Sequence, residues 1–521
     1  MVESKEAKVM LDFGRRMGFD SLFFSEFINP RTNTELRDRL MIGALPNIPG
    51  IYREDLLKPG GFQGEGTYGR VLTVDSPLLD YEGLETYEAY PEDHMDAVLV
   101  SHAHLDHVGD LNFVHPDIAV WCTPVTKALI NAIDDVTTFK SRALTSSRHI
   151  LSHTKSGMFP GAPKIDKGIK ESRECITASG VIKDMDIEII EVDHSVPGAC
   201  SFLLRTDENN ILYTGDIRFH GSSPISKERY LKSIGHEVDI LICEGTRVNS
   251  HSVITEDMVR ESITEVIENT RGLVFVDFSW KDTTRYETIR RAAAANNRTF
   301  VIDARLAYLL NELGLYPEDD SVKVFLRRNG SALYSPGDYT GSKHELGFSV
   351  DKEDLDMTHY ENGLTASDII KEPERYVLML SYFQFNQLFD FADKHGKIPG
   401  SFFIKAQCEP FSDDMELDEE RMINWLEEFG IGFQEGDPDI DPNCDHHRCN
   451  KIKRCISRSH VSGHASRPEL KELITMMRPK VVIPVHTHEP REFEMMAREI
   501  QEETGKSIKV IIPEQGESYE L

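Results

Sequence analysis

Short apolar runs dominate the first half of the chain. Each is only a few residues long and is bounded by turn-forming residues, and few of the stretches between them show the period of an amphipathic helix. These runs predict β-strands at 96–100, 118–122, 187–190, 201–205, 211–216 and 239–245. The first half is therefore expected to be built from sheets rather than from a bundle of helices.

The middle of the chain changes to a regular alternation of helix and strand. A helix is predicted after Thr255, ending near Asn269, and the apolar strand 273–277 follows it. The alternation continues with a helix at 283–295, a strand at 299–303, a helix ending near Gly314, strands at 376–380 and 401–406 with a helix between them, and a helix at 417–429. Such alternation predicts a parallel sheet covered by helices on both faces, and hence a second domain.

The last segment returns to the pattern of the first half. A helix with Pro468 near its start precedes an apolar strand at 480–486. The middle domain is therefore predicted to be inserted into the first one. We expect the first domain to comprise 1–250 and 456–521, and the inserted domain 251–455.

Composition narrows the class of protein. The chain has 521 residues, of which 88 are acidic and 58 basic, so its formal net charge is −30. This balance disfavours broad adhesion to nucleic acid or anionic membranes, although a local basic cleft remains compatible with it. No apolar run approaches the roughly 20 residues of a membrane helix, and the first residues lack the apolar middle of a signal peptide. With 8 irregularly spaced cysteines, the expectation is a cytoplasmic protein without a membrane partner, and a homo-oligomer is compatible with it.

The stretch SHAHLDHVGD, at 101–110, concentrates side chains that bind metals. His102, His104, Asp106 and His107 follow a predicted strand, whose end would fix the backbone while the next loop turns these side chains inward. Imidazole and carboxylate groups are ligands of zinc and similar divalent ions. The first two histidines can converge on one ion, which leaves the other two residues for a second. Two neighbouring ions can hold a hydroxide and clamp an in-line displacement at phosphorus.

Two further candidates stand beside later apolar runs. His194 comes shortly after the run 187–190, and Asp216 ends the run 211–216. A single histidine or aspartate in such a place is usually structural, satisfied by hydrogen bonds within the fold. Their order after the first cluster is what makes them candidate ligands.

Together these motifs resemble the signature of the metallo-β-lactamase fold. The H-x-H-x-D-H cluster, DHSVPGA around His194 and TGD at Asp216 occur in the order of that family. The resemblance implies an αββα sandwich that holds one or two zinc ions at the edge of two packed sheets. Asp12, in KVMLDFG, is similar to the early aspartate of the family, which supports the ligand loop without binding metal itself. Only eleven residues precede Asp12, where the family normally has one or two strands.

Three later motifs narrow the resemblance. Glu244 in LICEGT, His464 in HVSGHA and His486 in VVIPVH are similar to motifs A, B and C of the β-CASP nucleases, the branch that includes ribonuclease J and archaeal β-CASP ribonucleases. The implied fold is the sandwich with an inserted parallel-sheet α/β (β-CASP) domain. The chain departs from the family after His486, where THE stands in place of the usual glycine.

The resemblance also implies roles for the matching residues. It implies seven ligands shared by two zinc or manganese ions: His102, His104 and His194 on the first, Asp106, His107 and His486 on the second, and Asp216 bridging both. Asp106 also counts among the catalytic groups. His464, hydrogen-bonded to Glu244, would donate a proton to the leaving oxygen, a role that suits an imidazole near neutral pH.

The residues around His464 allow two interpretations. His460, Ser462, Gly463 and Ala465 belong to a turn that contains a glycine, and this turn could serve only to aim His464. The alternative, which the resemblance favours, is a phosphate cradle made of backbone N–H groups and a hydroxyl.

A polar loop before this motif also leaves its role open. Cys444, Cys449 and Cys455 have no regular zinc-site spacing, so a loop between domains is favoured over a structural metal site. The same region carries a set of basic residues: Arg448, Lys451, Lys453, Arg454 and Arg458. This set is either a solvated surface or the lining of a groove for a polyanionic backbone.

Three functions compete at this point. The first is a dinuclear metal-dependent nuclease acting on RNA, with DNA as the alternative substrate and with 5′-phosphate-dependent exonuclease or endonuclease activity. The second is a hydrolase of a small molecule, disfavoured because a small substrate needs no inserted domain. The third is a non-catalytic scaffold, disfavoured because all seven implied ligands are present.

Overall fold

The structure is a computed structural model that divides the chain into two compact units. It describes residues 1–24, 28–57, 84, 86–89, 94–137, 141–153, 163–222, 225–235, 238–251, 254–328, 363–408, 413–435, 456 and 459–521. Unit 1 comprises Met1–Ile130, Ser141–Ile189 and Leu204–Glu208. Unit 2 comprises Asn131–Lys140, Ile190–Leu203 and Asn209–Leu521.

Unit 1 is built around a sheet of short strands, of which Ala97–Leu99 and Ala119–Trp121 are fully buried. Among its described residues the sheet has five strands, in the order Val2–Glu3, Lys8–Leu11, Ala97–Leu99, Ala119–Trp121 and Cys175–Ile176. The first pair is antiparallel and the other neighbours are parallel. Because the parallel strands point the same way, Asp12 and the residues after Leu99 leave the sheet at one edge.

Hairpins and short helices complete unit 1. Two antiparallel hairpins pair Thr145–His153 with Pro163–Ser172, and Gly180–Ile182 with Met185–Glu191. The last residues of Met185–Glu191 pass into unit 2. The described helices are Met17–Asp20, Glu35–Met41, Glu54–Leu57, Leu105–Val108 and Pro124–Val136, of which the last runs on into unit 2, and the 3₁₀ turns are Tyr87–Ala89 and Leu111–Phe113.

Unit 2 contains a first parallel sheet that ends at several predicted site residues. Lys509–Val510, Val481–Val485, Ile240–Glu244 and Asn210–Tyr213 pair in parallel in that order, and Cys200–Arg205 borders the last of them. The helices Lys227–Ile234, Arg467–Met477 and Arg491–Thr504 accompany these strands. Leu241, Val482, Leu473 and Phe493 belong to one buried cluster, so these helices pack their apolar faces on the sheet.

A second sheet of unit 2 lies within the segment predicted as inserted. In the described part of that segment, six strands are all parallel, in the order Val322–Val324, Thr299–Ile302, Tyr376–Met379, Val274–Asp277, Phe402–Lys405 and Gly432–Phe433. The helical segments that precede or connect these strands are Glu256–Asn269, Thr283–Ala295, Ala304–Glu312, Ala366–Ile369, Pro373–Arg375, Tyr382–Asp390 and Asp413–Phe429.

Alternate residues of this sheet enter two separate cores. Val274 and Val276 belong to one buried cluster, whereas Phe275 belongs to another. Since side chains alternate across a strand, the sheet is covered on both faces, as the sequence pattern predicts. The helices begin at side-chain caps: Thr255 accepts the N–H of Met258, and Asp303 accepts that of Leu306.

The alternating α/β pattern is therefore confirmed, with differences in detail. The stretch between the strands at 376 and 402, predicted as a helix, is the 3₁₀ segment Tyr382–Asp390. The antiparallel hairpin formed by Thr145–His153 and Pro163–Ser172 was not predicted, because its mostly polar strands lack the alternation of apolar and polar residues that marks a half-buried strand. The domain limits at 250 and 455 stay predictions. No helix in the described ranges combines the length and apolar character needed to cross a membrane.

Candidate metal centre

Unit 1 presents four of the predicted ligands at the end of one buried strand. Ala97–Leu99 is followed by a loop that carries His102 and His104, and by the single-turn helix Leu105–Val108 that carries Asp106 and His107. His102 Nε2 lies 3.0 Å from His104 Nδ1. Asp106 Oδ2 lies 3.8 Å from His107 Nε2. The donor atoms thus fall into two pairs, and the second pair stands on a helix turn rather than on the predicted loop.

Asp12 supports this cluster from behind. The residue directly follows the strand Lys8–Leu11, has a left-handed backbone (φ 55°) and is placed against the start of the ligand loop. Its carboxylate accepts the N–H and the hydroxyl of Ser101, each at 2.7 Å. Its Oδ2 also lies 2.7 Å from His107 Nδ1. An N–H at Nδ1 would donate to this carboxylate, which leaves Nε2 of His107 as the metal-binding nitrogen.

The segment after Asp12 holds the ligand helix by its backbone. Phe13 N donates to His107 O and Arg15 N donates to Leu105 O, each at 3.0 Å. A Cβ at Gly14 would lie 1.8 Å from the carbonyl oxygen of Asp106, so only glycine allows this approach. The position of the helix therefore depends on a residue 92 positions earlier in the chain, from Gly14 to Asp106.

Unit 2 gathers a second set of predicted residues around one buried carboxylate. Asp216 is 2% exposed and follows the strand Asn210–Tyr213. Its Oδ1 lies 3.2 Å from His486 Nδ1, and its Oδ2 lies 3.8 Å from His194 Nε2 and 3.7 Å from His464 Nδ1. The carboxylate therefore faces three imidazoles that come from three distant parts of the sequence.

Glu244 supplies a second carboxylate to His464. It ends the strand Ile240–Glu244 and is 1% exposed. Its Oε1 lies 3.6 Å from His464 Nδ1, an ion-pair distance that is longer than the predicted hydrogen bond. Burial by itself lowers the pKa of His464, but the carboxylates of Asp216 and Glu244 outweigh burial and raise this pKa above its ordinary value.

The loop before His464 is firmly bonded to its surroundings. Ser462 Oγ accepts the N–H of His464 at 3.1 Å. The N–H of Ala465 donates to Ile217 O at 2.7 Å, so it is already engaged within the fold. Gly463 packs against His194, since a Cβ there would lie 2.8 Å from its Cε1 atom. These contacts explain the shape of the turn without a phosphate.

His460 lies at the start of this loop in a cationic environment. Burial lowers its pKa well below the ordinary value, and the nearby guanidinium groups of Arg285, Arg218 and Arg247 lower the pKa further. The ring is therefore neutral near pH 7. His488, two positions after His486, is exposed.

Both sets of donors fit divalent zinc. They consist of imidazole nitrogens and carboxylate oxygens, which are the usual non-thiolate zinc ligands. In unit 2, ligand atoms of Asp216, Glu244, His464 and His486 lie within 4.8 Å of one another. Burying the Asp216 carboxylate costs free energy unless a positive charge compensates it, and the lone pairs of the clustered imidazoles repel one another unless a cation binds them. The chemistry of the set therefore favours a bound metal.

Several supporting residues escaped the sequence interpretation. Ser101 lies within the quoted motif but has no metal-binding chemistry of its own. Asp193 comes one position before His194, and Arg218 comes two positions after Asp216. The two residues form a buried ion pair at 3.2 Å. The only sign of this pair in the sequence is that each of two candidate ligands has a charged residue close to it, and that these two residues have opposite charges. The Cys444–Cys455 loop and its basic residues lie outside the described residues.

Comparisons with known families agree with this geometry. Residues 84–273 match the family described as "Beta-lactamase superfamily domain". Residues 453–513 match the family described as "Zn-dependent metallo-hydrolase RNA specificity domain". The first match contains the ligand motifs up to Asp216, and the second contains His464 and His486.

Among curated proteins the chain is similar to several named ribonuclease J. One from Sinorhizobium meliloti is 24% identical over 408 residues, which cover 75% of this chain and 57% of that protein. One from Pyrococcus abyssi is 23% identical over 472 residues, which cover 86% of this chain and 88% of that protein. The chain thus spans little more than half of the first relative and most of the second.

A solved structure supports the fold independently. A crystal structure described as a protein of unknown function from Enterococcus faecalis V583 matches with a TM-score of 0.62 and 19% identity, over 99% of this chain and 94% of that one. At this identity the match shows the fold alone. The chain therefore contains a metallo-β-lactamase superfamily domain at 84–273 and an RNA specificity domain of Zn-dependent metallo-hydrolases at 453–513, and it is distantly related to ribonuclease J over most of its length.

Proposed function

We propose that this protein is a dinuclear metal-dependent phosphodiesterase that cleaves RNA. The observation that carries the proposal is the position of His464, whose Nδ1 lies 3.7 Å from Asp216 and 3.6 Å from Glu244. An imidazole beside a buried carboxylate pair is a candidate proton donor, and this one lies in the segment 453–513 that matches an RNA specificity domain.

The proposed ligands are those that the order of the motifs implies. Two zinc ions, or two manganese ions, would be held by the following set: His102, His104 and His194 on the first, Asp106, His107 and His486 on the second, and Asp216 on both. The ions, when bound, would supply an activated water and neutralise charge on the phosphoryl oxygens. The pairing 102/104 and 106/107 within unit 1 supports this division of ligands.

The remaining groups of the site handle protons and orientation. Glu244 and Asp216 both face Nδ1 of His464, so they orient the ring and stabilise its protonated form. The Nε2–H is then directed away from the carboxylates and can donate to the leaving 3′ oxygen. Asp12 holds the ring of His107 through its Nδ1, and Asp106, beside that ring, would help to hold the metal that supplies the activated water.

A preference for a 5′-phosphate is proposed to depend on the loop before His464. Ser462 Oγ accepts one hydrogen bond and keeps its own O–H to donate to an anion. His460 stands at the start of the same loop, where the positive charges of Arg285, Arg218 and Arg247 would attract an anion. Such an end pocket would support 5′-phosphate-dependent exonuclease activity, with internal cleavage when the end is not engaged.

The experiment that tests this function uses the zinc-loaded and the manganese-loaded protein. End-labelled RNA and DNA of the same sequence, each with a 5′-phosphate or a 5′-hydroxyl, are incubated and the product lengths are measured. We expect cleavage of RNA, faster with the 5′-phosphate, and stepwise products from that end. Cleavage of DNA at equal or higher rate would replace RNA by DNA as the substrate.

Other outcomes point to the remaining alternatives. Hydrolysis of a thioester, lactam or free nucleotide without cleavage of either nucleic acid would make the protein a small-molecule hydrolase. No hydrolysis of any of these by a protein that holds its metal would support a scaffold. In both cases the proposed function would be wrong.

A further inference from the structure

Arg218 is a fully buried residue that the proposed reaction does not use. It lies two positions after Asp216 and is 0% exposed. Its Nε donates to Asp193 Oδ2 at 3.2 Å, and its Nη1 donates to the carbonyl oxygen of Ser462 at 3.2 Å. Its backbone N–H also donates to Asp193 O at 2.9 Å. One guanidinium thus joins three segments of unit 2.

Each of these segments carries a predicted site residue. Asp193 immediately precedes His194, and Ser462 comes two positions before His464. The carbonyl of Gly463, next to Ser462, faces His194 Nδ1 at 2.6 Å. An N–H at Nδ1 donates to this carbonyl, which leaves Nε2 as the nitrogen that faces Asp216. The orientation of His194 therefore depends on where the 462–463 peptide is held.

A second donor converges on the same carbonyl. His220 Nε2 lies 3.0 Å from Ser462 O, and His220 Nδ1 lies 2.8 Å from Glu469 Oε2. Glu469 also accepts the N–H of Ser466 at 2.9 Å, at the start of the helix Arg467–Met477. The loop that carries His464 is therefore held at Ser462 before it and at Ser466 after it. At Ser462, Arg218 supplies the hydrogen bond that links the loop to the segment of His194.

We propose that Arg218 is a positioning residue of the metal centre, which fixes the ring of metal ligand His194 and the place of His464 by holding the Ser462 carbonyl against Asp193. Partners that orient metal-binding imidazoles in this way change metal affinity or activity by about 10- to 100-fold when they are removed. The effect on metal affinity stands without the proposed function. The effect on RNA cleavage rests on it.

Arginine suits this position for a geometric reason. Its planar group presents N–H donors in different directions, so Nε can serve Asp193 while Nη1 serves Ser462. A lysine at 218 keeps the positive charge but has one nitrogen, which cannot occupy both places. Gly221 adds a second constraint, because a Cβ there would lie 2.0 Å from Asp193 Oδ2 and 2.6 Å from Arg218 Nε.

The alternative role is that of a buried ion pair that only stabilises the fold. Two variants separate the roles: Arg218→Lys, and Gly221→Ala, which pushes the pair apart without altering either charge. The matched control is Arg298→Lys. Arg298 donates to the carbonyls of Gly272, Ile267 and Thr270 beside the six-stranded sheet, and none of these partners is a proposed ligand.

The main measurement is zinc affinity of the full-length protein, titrated against a chromophoric chelator at a temperature where each variant is folded by circular dichroism. We expect Arg218→Lys and Gly221→Ala to bind zinc about 10- to 100-fold more weakly than the wild type. The control is expected to lose thermal stability but to keep wild-type zinc affinity. On RNA, both site variants should lower kcat with little change in KM, since Arg218 touches no substrate.

The result that overturns the proposal is wild-type zinc affinity, within twofold, in a folded Arg218→Lys protein. An equal loss of affinity in Arg298→Lys would also overturn it, because the loss would then follow stability alone. If Arg218→Lys does not fold, Gly221→Ala decides by the same criterion. A wild-type protein that cleaves no RNA, combined with weaker zinc binding in the variants, would remove the proposed function and leave the positioning role standing.

Discussion

Gly14 lies directly against the backbone of Asp106, at a place where a Cβ would come within 1.8 Å of the carbonyl oxygen and 1.9 Å of the carbonyl carbon. Both atoms belong to the helix Leu105–Val108, which carries two of the proposed ligands. A side chain at residue 14 cannot be accommodated by a rotamer change, because the obstacle is backbone. The ligand helix would have to move.

The first prediction concerns this contact. Gly14→Ala should displace Asp106 and His107 and weaken zinc binding at least about tenfold, while overpacking lowers the free energy of unfolding by about 1–3 kcal/mol. Chelator competition and thermal unfolding measure the two effects. Gly18→Ala is the matched control, because a Cβ at Gly18 would have nothing within 4 Å. Equal zinc affinity in the two variants would contradict the prediction.

The second prediction concerns the shared carboxylate. Asp216 is buried and faces His194, His464 and His486. Asp216→Asn should reduce the zinc content of the purified protein from about two ions per chain to one or fewer, because an amide is a poor bridging ligand. Elemental analysis measures the content, with the exposed Asp207→Asn as control. A full complement of two ions in Asp216→Asn would show that this residue does not bridge.

The third prediction separates metal binding from proton donation. His464→Ala should keep its metal content but lose about a hundredfold to ten-thousandfold in the rate of RNA cleavage, which is the usual cost of removing a general acid. The rate and the metal content are measured on the same preparation. Loss of metal would make His464 a ligand instead, which its distance of 3.7 Å from Asp216 also permits.

The fourth prediction concerns the 5′ end of the substrate. Ser462→Ala removes a hydroxyl beside the N–H of His464 but leaves the backbone in place. The ratio of rates on 5′-phosphate and 5′-hydroxyl RNA should fall about tenfold, because the hydrogen bond to a charged group is lost only with the phosphorylated end. The rate on 5′-hydroxyl RNA should fall less, since both substrates share the loss of the bond from the His464 N–H. An unchanged ratio would place the end pocket elsewhere.

The fifth prediction concerns the dependence of stability on pH in the six-stranded parallel sheet. Asp277 ends the strand Val274–Asp277 and is 1% exposed. Burial raises its pKa to about 6, although the hydrogen bond from Gln407 and the charge of Lys405 act to lower it. In the unfolded chain the Asp277 carboxyl has a pKa of about 4. Between these values the folded protein holds a proton that the unfolded chain has lost, so stability falls as pH rises through this window.

Asp277→Asn should remove that loss. At pH 7.5 the variant should gain up to about 3 kcal/mol in the free energy of unfolding over the wild type, and at pH 3.5 it should gain little. Thermal or urea unfolding at the two values measures the difference. The control is Asp320→Asn, whose side chain is 91% exposed. A gain that is the same at both values would mean that Asp277 titrates normally.

The sequence alone determined many of the strands and helices and the chemistry of the candidate site. Apolar runs and helix caps such as Thr255 are local signals, so the apolar strands such as 274–277 and the helices at 256 and 283 were predicted directly, whereas the polar hairpin at Thr145–His153 was not. The histidines of SHAHLDHVGD and the later motifs were recognisable because metal binding needs particular donor atoms, whatever the surrounding fold.

Only the tertiary structure decided which residues hold those donors in place. The approach of Gly14 to Asp106, and the junction of Arg218 with Asp193 and Ser462, join segments separated by up to 244 positions. Glycine, arginine and serine occur at many positions of any sequence, so their presence does not indicate that they hold metal ligands in place. Their roles arise from close packing and from buried polar groups that must find partners, and both conditions exist only after the chain has folded.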